Sequence, residues 1–468
     1  NVNASTDRGI TLTGSANINV PDGTLALKGK IIGTGSLTKS GNGQLNFNNN
    51  GNSWSGGTIL AGGAIAMGSW DVRFGAANSP INVSENSSIV VFNNNSSSAI
   101  PNLRHAITIE KGKTLTISGG ARCMISGSLS GEGTLKISYP YVRGDFSTNT
   151  SNFHGTVEVT SGQFRITADT DLSNAVLRLD DGVYAVHTSV NSGTEKNLTT
   201  KIGSLVSTYS TATLSTGTWN VGYLGENDTY GGSFSSNAII NKYGDGNMTF
   251  TGTGSGPVNI YSGRVNANNA SASLTSSTIT VRNGGVLGGN GQVGVVNVMT
   301  GGTLCAGISY LNTGSLKVGS VTVSAGGILD VCCRKSSSGK VTCDNWVHSG
   351  RVSLRTPVIR VKMLGSNELS VGDELRIFSG TVTISLTGDA TVLMSDGADG
   401  YSWDTSRLAT EGIIVVAGVP EATSINNITH DDGSVKVYDL SGNQIPFNMM
   451  RAHTGVLLIN GKKVIVRP

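Results

Sequence analysis

The chain is poor in charge, aromatics and long apolar runs. Only 13% of its 468 residues are charged and the formal net charge is +3, which gives no electrostatic footprint for nucleic acid. No stretch approaches the roughly 18 apolar residues that a transmembrane helix needs. Aromatics make up 6% and prolines number nine, against 65 glycines. That balance suits a backbone that bends every few residues. Hydrophobic residues at 37% are too many for a disordered chain, and mean hydropathy near zero excludes a membrane-embedded one. Ser, Thr and Asn carry most of the polar surface. Asn1 opens directly into a polar, strand-like pattern, as expected of a mature or excised form whose leader, if any, has been removed.

What is present is repetition. TITVRNGGVLGG, VVNVMTGGTLCAG and SVTVSAGGILDV follow one another between Thr278 and Val331. Each has two apolar residues two apart, a glycine turn and two more apolar residues two apart. This predicts a short strand, a bend and a second strand. Looser copies start at Ile81, Ala106, Thr156 and Pro257. Such a unit cannot bury its own apolar face, whereas a stack of them can. The expected fold is all-β: a parallel β-helix, a solenoid of roughly 20–25 residues per coil and some 70–90 Å in length, followed by a small C-terminal β-sandwich-like module. The expected division is 1–380 for the β-helix, 381–418 for a β-rich terminal cap, 419–434 for a linker and 435–468 for the final module. Residues 182–236 are the least periodic and are expected to carry the largest excursions.

Two resemblances attach to particular residues. GTGSLTKSGNGQLNF from Gly33, with WSGGTILAGG after it, and the stretch from Gly284 to Val331 resemble the autotransporter-associated β-strand repeat of bacterial surface passenger proteins. So do KIGSLVSTYSTATL from Lys201 and SWDTSRLATEG from Ser402. The resemblance implies a right-handed β-helix, exported and displayed outside the cell. No membrane β-barrel translocator pattern occurs at the C-terminus. VKVYDLSGNQI and TGVLLINGKKVIVRP, within Val435 to Pro468, resemble the sorting domain read by type IX secretion machinery. Asn443 stands where that family usually has Arg, and Thr454 where it has a basic residue. The implied role is an address, so a partner in the secretion machinery is expected.

Chemistry-bearing residues are scattered. Asp180 and Asp181 are adjacent, so in a strand they point to opposite faces, and a turn at a strand end is expected. Asp431 and Asp432 fall in the linker. His105, His154, His187, His348, His430 and His453 show no metal-ligand spacing and no triad context. DGADG, from Asp396, lacks the repeating acidic nonapeptide of calcium β-rolls. Gly288 to Gly291 suits a coil corner. Arg351, Arg355, Arg360, Lys362 and Arg376 cluster in sequence; their even-spaced members could form a stripe that meets an acidic glycan, or simply a solvated strand face. Tyr139 and Tyr141 share a face if extended and would suit sugar stacking. Trp54, Trp70 and Trp346 fit core stacks at least as well.

Of the five cysteines, Cys123, Cys305, Cys332, Cys333 and Cys343, most are expected as small buried hydrophobes. Cys333 and Cys343 are equidistant from Ser338. If RKSSSGK turns back as a hairpin, they face each other at a separation that fits a disulfide. No catalytic, cofactor or metal residue is assigned. The expected function is a non-catalytic secreted or outer-surface bacterial adhesin, stalk or glycan-contacting scaffold. Its expected partners are surface glycans or other extracellular proteins. The alternative is a carbohydrate-active lyase or hydrolase with its groove beside residues 182–236.

Overall fold

The computed structural model describes residues 3–69, 73–77, 79–91, 100–119, 122–138, 144–190, 193–268, 274–380, 382–395, 397 and 400–420. In the C-terminal stretch it describes 437–438, 444–445, 455–459 and 462–466. Linker residues 421–434, with His430, Asp431 and Asp432 among them, as well as His453, Trp70, Tyr139, Tyr141 and most of DGADG, lie outside the described residues.

The alternating apolar pattern becomes a parallel β-helix. The ladder can be followed through one internal row: Leu25 pairs with Leu45, then Ile65, Ile89, Ile117, Ile137, Val159 and Leu179. These side chains point inward and are buried, except Leu25, which is partly exposed near the first coil. The step varies from 20 residues (Leu25 to Leu45) to 28 (Ile89 to Ile117). Extra residues are accommodated between rungs without breaking the row. Each buried Leu or Ile contributes roughly 1.5–3 kcal/mol, and the row as a whole forms one continuous core. Among the described residues, seventeen successive parallel pairings connect Asn3–Thr6 to Ile384–Thr387. At about 4.8 Å per rung this is a rod of about 80 Å.

The other walls of the coil are shorter sheets. One stacks Ala16–Asn19, Leu37–Ser40, Thr58–Ala61, Ile81–Val83, Ile107–Ile109, Leu129–Gly131 and Asn152–Phe153. Another runs from Asn102–Leu103 to Ser233–Phe234, and a third from Asp228–Tyr230 to Thr391–Met394. The phrases read in the sequence fall on these pairs, for example Leu274–Val281 with Gly285–Gly289, and Ser315–Val323 with Ile328–Lys335. Trp54 stacks with Phe47 at 5.5 Å and Trp346 with Phe378 at 5.1 Å, all inside the rod.

Residues 182–236 depart from the strands mainly over 188–198, where the step between paired Leu172 and Ile202 lengthens to 30 residues. They supply six strands, from Tyr184–His187 to Ser233–Phe234, in register with their neighbours. Their periodicity is hidden because several of these strands are only two or three residues long and because polar side chains are turned inward. His187 is buried and stacks on Trp219 at 4.4 Å.

Parallel rungs continue to Thr391–Met394, and an antiparallel sheet of Glu374–Arg376, Ile413–Gly418 and Ser402–Asp404 lies against the end of the stack. A short helix, Leu408–Glu411, ends on Gly412 in the left-handed region. The C-terminal strands Val437–Tyr438, Gln444–Ile445, Gly455–Ile459 and Lys462–Val466 form an antiparallel sheet.

Candidate functional site

Three consecutive rungs of one wall build the most distinctive surface feature. Ile328–Lys335 pairs with Val358–Met363, which pairs with Thr391–Met394. Register places Asp330 beside Arg360 and Cys332 beside Lys362. Because a strand alternates faces, these four all point outward. The segment 306–314 crosses this face and brings Tyr310 to it. The result is a half-open groove of about 460 Å³ lined by Tyr310, Asp330, Cys332, Arg360, Lys362 and Ser395.

The charges of the groove are arranged asymmetrically. Arg360 forms a two-pronged pair with Asp330, Nε to Oδ1 at 2.5 Å and Nη2 to Oδ2 at 2.7 Å. This pairing raises the affinity of Arg360 for its proton above the ordinary value. The Tyr310 hydroxyl donates to Asp330 Oδ2 at 3.2 Å. Asp330 is thereby committed to two partners. Lys362 is exposed, and its ammonium lies 5.6 Å from the centroid of the Tyr310 ring. Buried Arg264 also approaches that ring, at 5.2 Å. Its Nε donates to Asn266 at 2.7 Å and its Nη2 to the Gly307 carbonyl at 2.7 Å. Its Nη1 is buried and has no hydrogen-bond partner among the described residues.

Under the groove, Asp344 is fully buried and accepts from the backbone N–H groups of Gly314 at 2.7 Å and Cys332 at 2.9 Å. Burial pushes its carboxyl up to about 7, against the opposing pull of those two donors. Burial likewise raises the Cys332 thiol to about 12 and moves the Tyr310 hydroxyl well above its ordinary range. Neither is poised as a nucleophile or base in this state.

Of the five basic residues clustered in the sequence, only Arg360 and Lys362 reach the groove. Arg355 precedes a corner at Thr356, whose φ of 35° turns the chain onto another wall, and Arg376 donates to the Glu411 carbonyl at 2.8 Å in the terminal sheet. The even-spaced stripe is therefore a pair. Tyr310, Asp330 and Ser395 carried no signal in the sequence. They come from segments 20 to 85 residues apart in sequence, joined only by the stacking of coils.

The remaining candidates are structural. Asp181 accepts from Thr211 at a turn after Thr170–Leu179. His105 and His348 bind the carbonyls of Ser79 and Gly350 through Nδ1, at 2.9 and 3.0 Å. Among the described residues no group of three metal-ligating side chains converges. An external ladder of Tyr223, Tyr243 and Tyr261 stacks at 5.1 and 4.8 Å, with Arg282 4.9 Å from the last ring. These rings use their faces on one another, which leaves mainly edges for a ligand.

Two buried lysines form a corner device. Lys39 Nζ donates to the carbonyls of Ser40, Gly41 and Gly62 at 3.0, 2.7 and 3.0 Å. Lys242 Nζ donates to those of Tyr243 and Gly244 at 2.5 and 2.8 Å. The next coil supplies Gly63 and Gly263, both with positive φ. A Cβ there would lie 2.8 Å from the lysine nitrogen and 2.4 or 2.3 Å from a carbonyl oxygen. The sequence KSGNG at Lys39 and KYGDG at Lys242 is thus one motif, a cation that holds the carbonyls of its own bend and, at Lys39, a carbonyl of the next coil.

Comparison with models of protein families and with curated proteins finds no match for this chain.

Proposed function

We propose that this chain is a secreted or outer-surface bacterial scaffold, a rigid stalk that contacts glycans, and that its last segment is the address for export. The observation that carries this reading is the uninterrupted parallel ladder from Asn3–Thr6 to Ile384–Thr387, beside which the neighbouring wall carries the groove at Tyr310. A β-helix of this length is stiff because each rung is hydrogen-bonded on both sides, so a site on its wall is held at a fixed distance from either end. The likeness to passenger repeats and to the sorting domain supports the location. The apolar side chains of Ile308 and Leu311, 48% and 73% exposed, stand beside Tyr310. Exposed apolar groups beside cations and a hydroxyl suit the mixed surface of a sugar.

The test is a glycan array probed with the full chain. Retention of a defined set of glycans is expected; retention of none overturns the glycan-contacting reading. Surface labelling of cells that make the protein with its C-terminal module intact or deleted tests the address, and equal display of both forms overturns it.

A second reading, a carbohydrate-active enzyme, is favoured by the meeting of Tyr310, Asp330, Arg360 and Lys362 in one groove. Against it stands the Tyr310 proton, held by burial and by Asp330. Release of reducing ends from any bound polysaccharide would make this the better reading.

A further inference from the structure

We propose that the groove beside Tyr310 binds an anionic group of a glycan, a carboxylate or a sulfate, with Lys362 as its counter-ion. This rests on the glycan-contacting reading and gives it a substrate class.

The inference follows from how the charges are satisfied. Arg264, Arg360 and Lys362 bring three cations around Tyr310, while Asp330 is the single carboxylate lining the groove among the described residues. Asp330 is consumed by Arg360 and Tyr310. Asp344, the next carboxylate, is buried beneath and turned to two backbone donors. Among the described residues Lys362 is left exposed, with the Tyr310 ring as its neighbour and no ion pair. A cation over a ring is held in place at modest cost and keeps its N–H donors for a ligand. Arg360 engages Asp330 through Nε and Nη2, which leaves Nη1 on its far edge. Ser395 donates its hydroxyl to the Val361 carbonyl at 2.9 Å, so toward a ligand it can act only as an acceptor, as a sugar hydroxyl requires. Two donors from cations, one acceptor and the apolar flank of Ile308 and Leu311 match an acidic sugar ring better than a neutral one.

The experiment titrates the full chain with polygalacturonate, dextran sulfate and neutral dextran, at low and moderate salt. Binding of at least one polyanion and not of dextran is expected, weakening several-fold as salt rises. Preference for polygalacturonate identifies the carboxylate and preference for dextran sulfate the sulfate. Lys362→Met should weaken the polyanion about tenfold and Lys362→Arg should retain it. Arg355→Met, which removes an exposed cation from another wall, should leave it unchanged. Unaltered melting of Lys362→Met shows that folding is not the cause. Equal loss in Lys362→Met and Arg355→Met would mean diffuse charge attraction and overturn the proposal. So would unchanged binding in Lys362→Met. If the array retains only neutral glycans, the anionic site is wrong while the glycan-contacting reading stands; if it retains nothing, both fall.

Discussion

Cys333 lies directly opposite Cys343 in the antiparallel pairing of Ile328–Lys335 with Val341–Cys343. The Asp344 N–H donates to the Cys332 carbonyl at 2.8 Å, so 332 and 344 are the hydrogen-bonded pair and 333 and 343 the closer, non-hydrogen-bonded pair. That separation is within reach of a disulfide. In this structure both are thiols, and the Cys333 sulfur rests on the Met363 sulfur at 3.1 Å.

Oxidation is therefore expected to join these two and no others. Burial raises both thiols, Cys343 to about 12, so the reaction should be slow at neutral pH and faster in alkali. After mild oxidation and denaturation, three thiols should remain of five. The bond should stabilise by about 2–3 kcal/mol for so short a loop. Cys343→Ser should abolish the change and Cys332→Ser should not. Five reactive thiols in the oxidised sample would refute it.

The lysine corner predicts a local loss of stability. Lys242→Met leaves the Tyr243 carbonyl without its lysine donor and the Gly244 carbonyl with only the Ser262 hydroxyl at 3.3 Å, and should cost about 2 kcal/mol. Because a solenoid opens locally, the reading is amide exchange in Ala238–Lys242 and Val258–Ile260, which should quicken there and not in distant coils. Gly263→Ala should act similarly through its clash with the Gly244 carbonyl. Lys201→Met, which removes an exposed pair with Asp171, should change exchange little.

His187 makes stability fall in acid. Its Nδ1 faces the Thr216 carbonyl and its Nε2 the Thr200 hydroxyl, both at 2.8 Å, and burial lowers it to about 4 from an ordinary 6.5. The native state thus excludes a proton that the unfolded chain takes up. Its contribution is complete above pH 6.5 and is lost as pH falls toward 4, on the order of 3 kcal/mol in total. Melting measured across that window should slope steeply in the native sequence and less so in His187→Gln. Parallel slopes would show that other groups govern acid unfolding.

Asp344 acts with the opposite sign. Its folded carboxyl titrates near 7, above the ordinary 3.8, so the native state holds a proton that the unfolded chain has released. The stabilisation is full below about pH 4 and is lost as pH rises through 7. Between pH 6 and 8 the native protein should lose melting temperature, whereas Asp344→Asn should be flat there. Asp344→Asn should also be less stable overall, since its amide sets a donor against one of two backbone N–H groups. An equal slope in both proteins would rule out Asp344 as the group responsible.

The sequence by itself determined the coil. Apolar residues two apart, broken by glycine, allow only short strands that must stack to cover their inner faces, and Ile117 over Ile137 or Val296 beneath Val321 follows from that alone. The turn at Asp181 and the pairing of Cys333 with Cys343 were legible for the same reason, since both depend on neighbours in the chain. The groove was not. Tyr310, Asp330, Arg360 and Ser395 meet because variable coil lengths happen to bring four outward positions level, and outward positions carry no periodic signal. Only the tertiary structure decided which cations are paired and which is left open, because pairing depends on distances across rungs that local pattern does not encode.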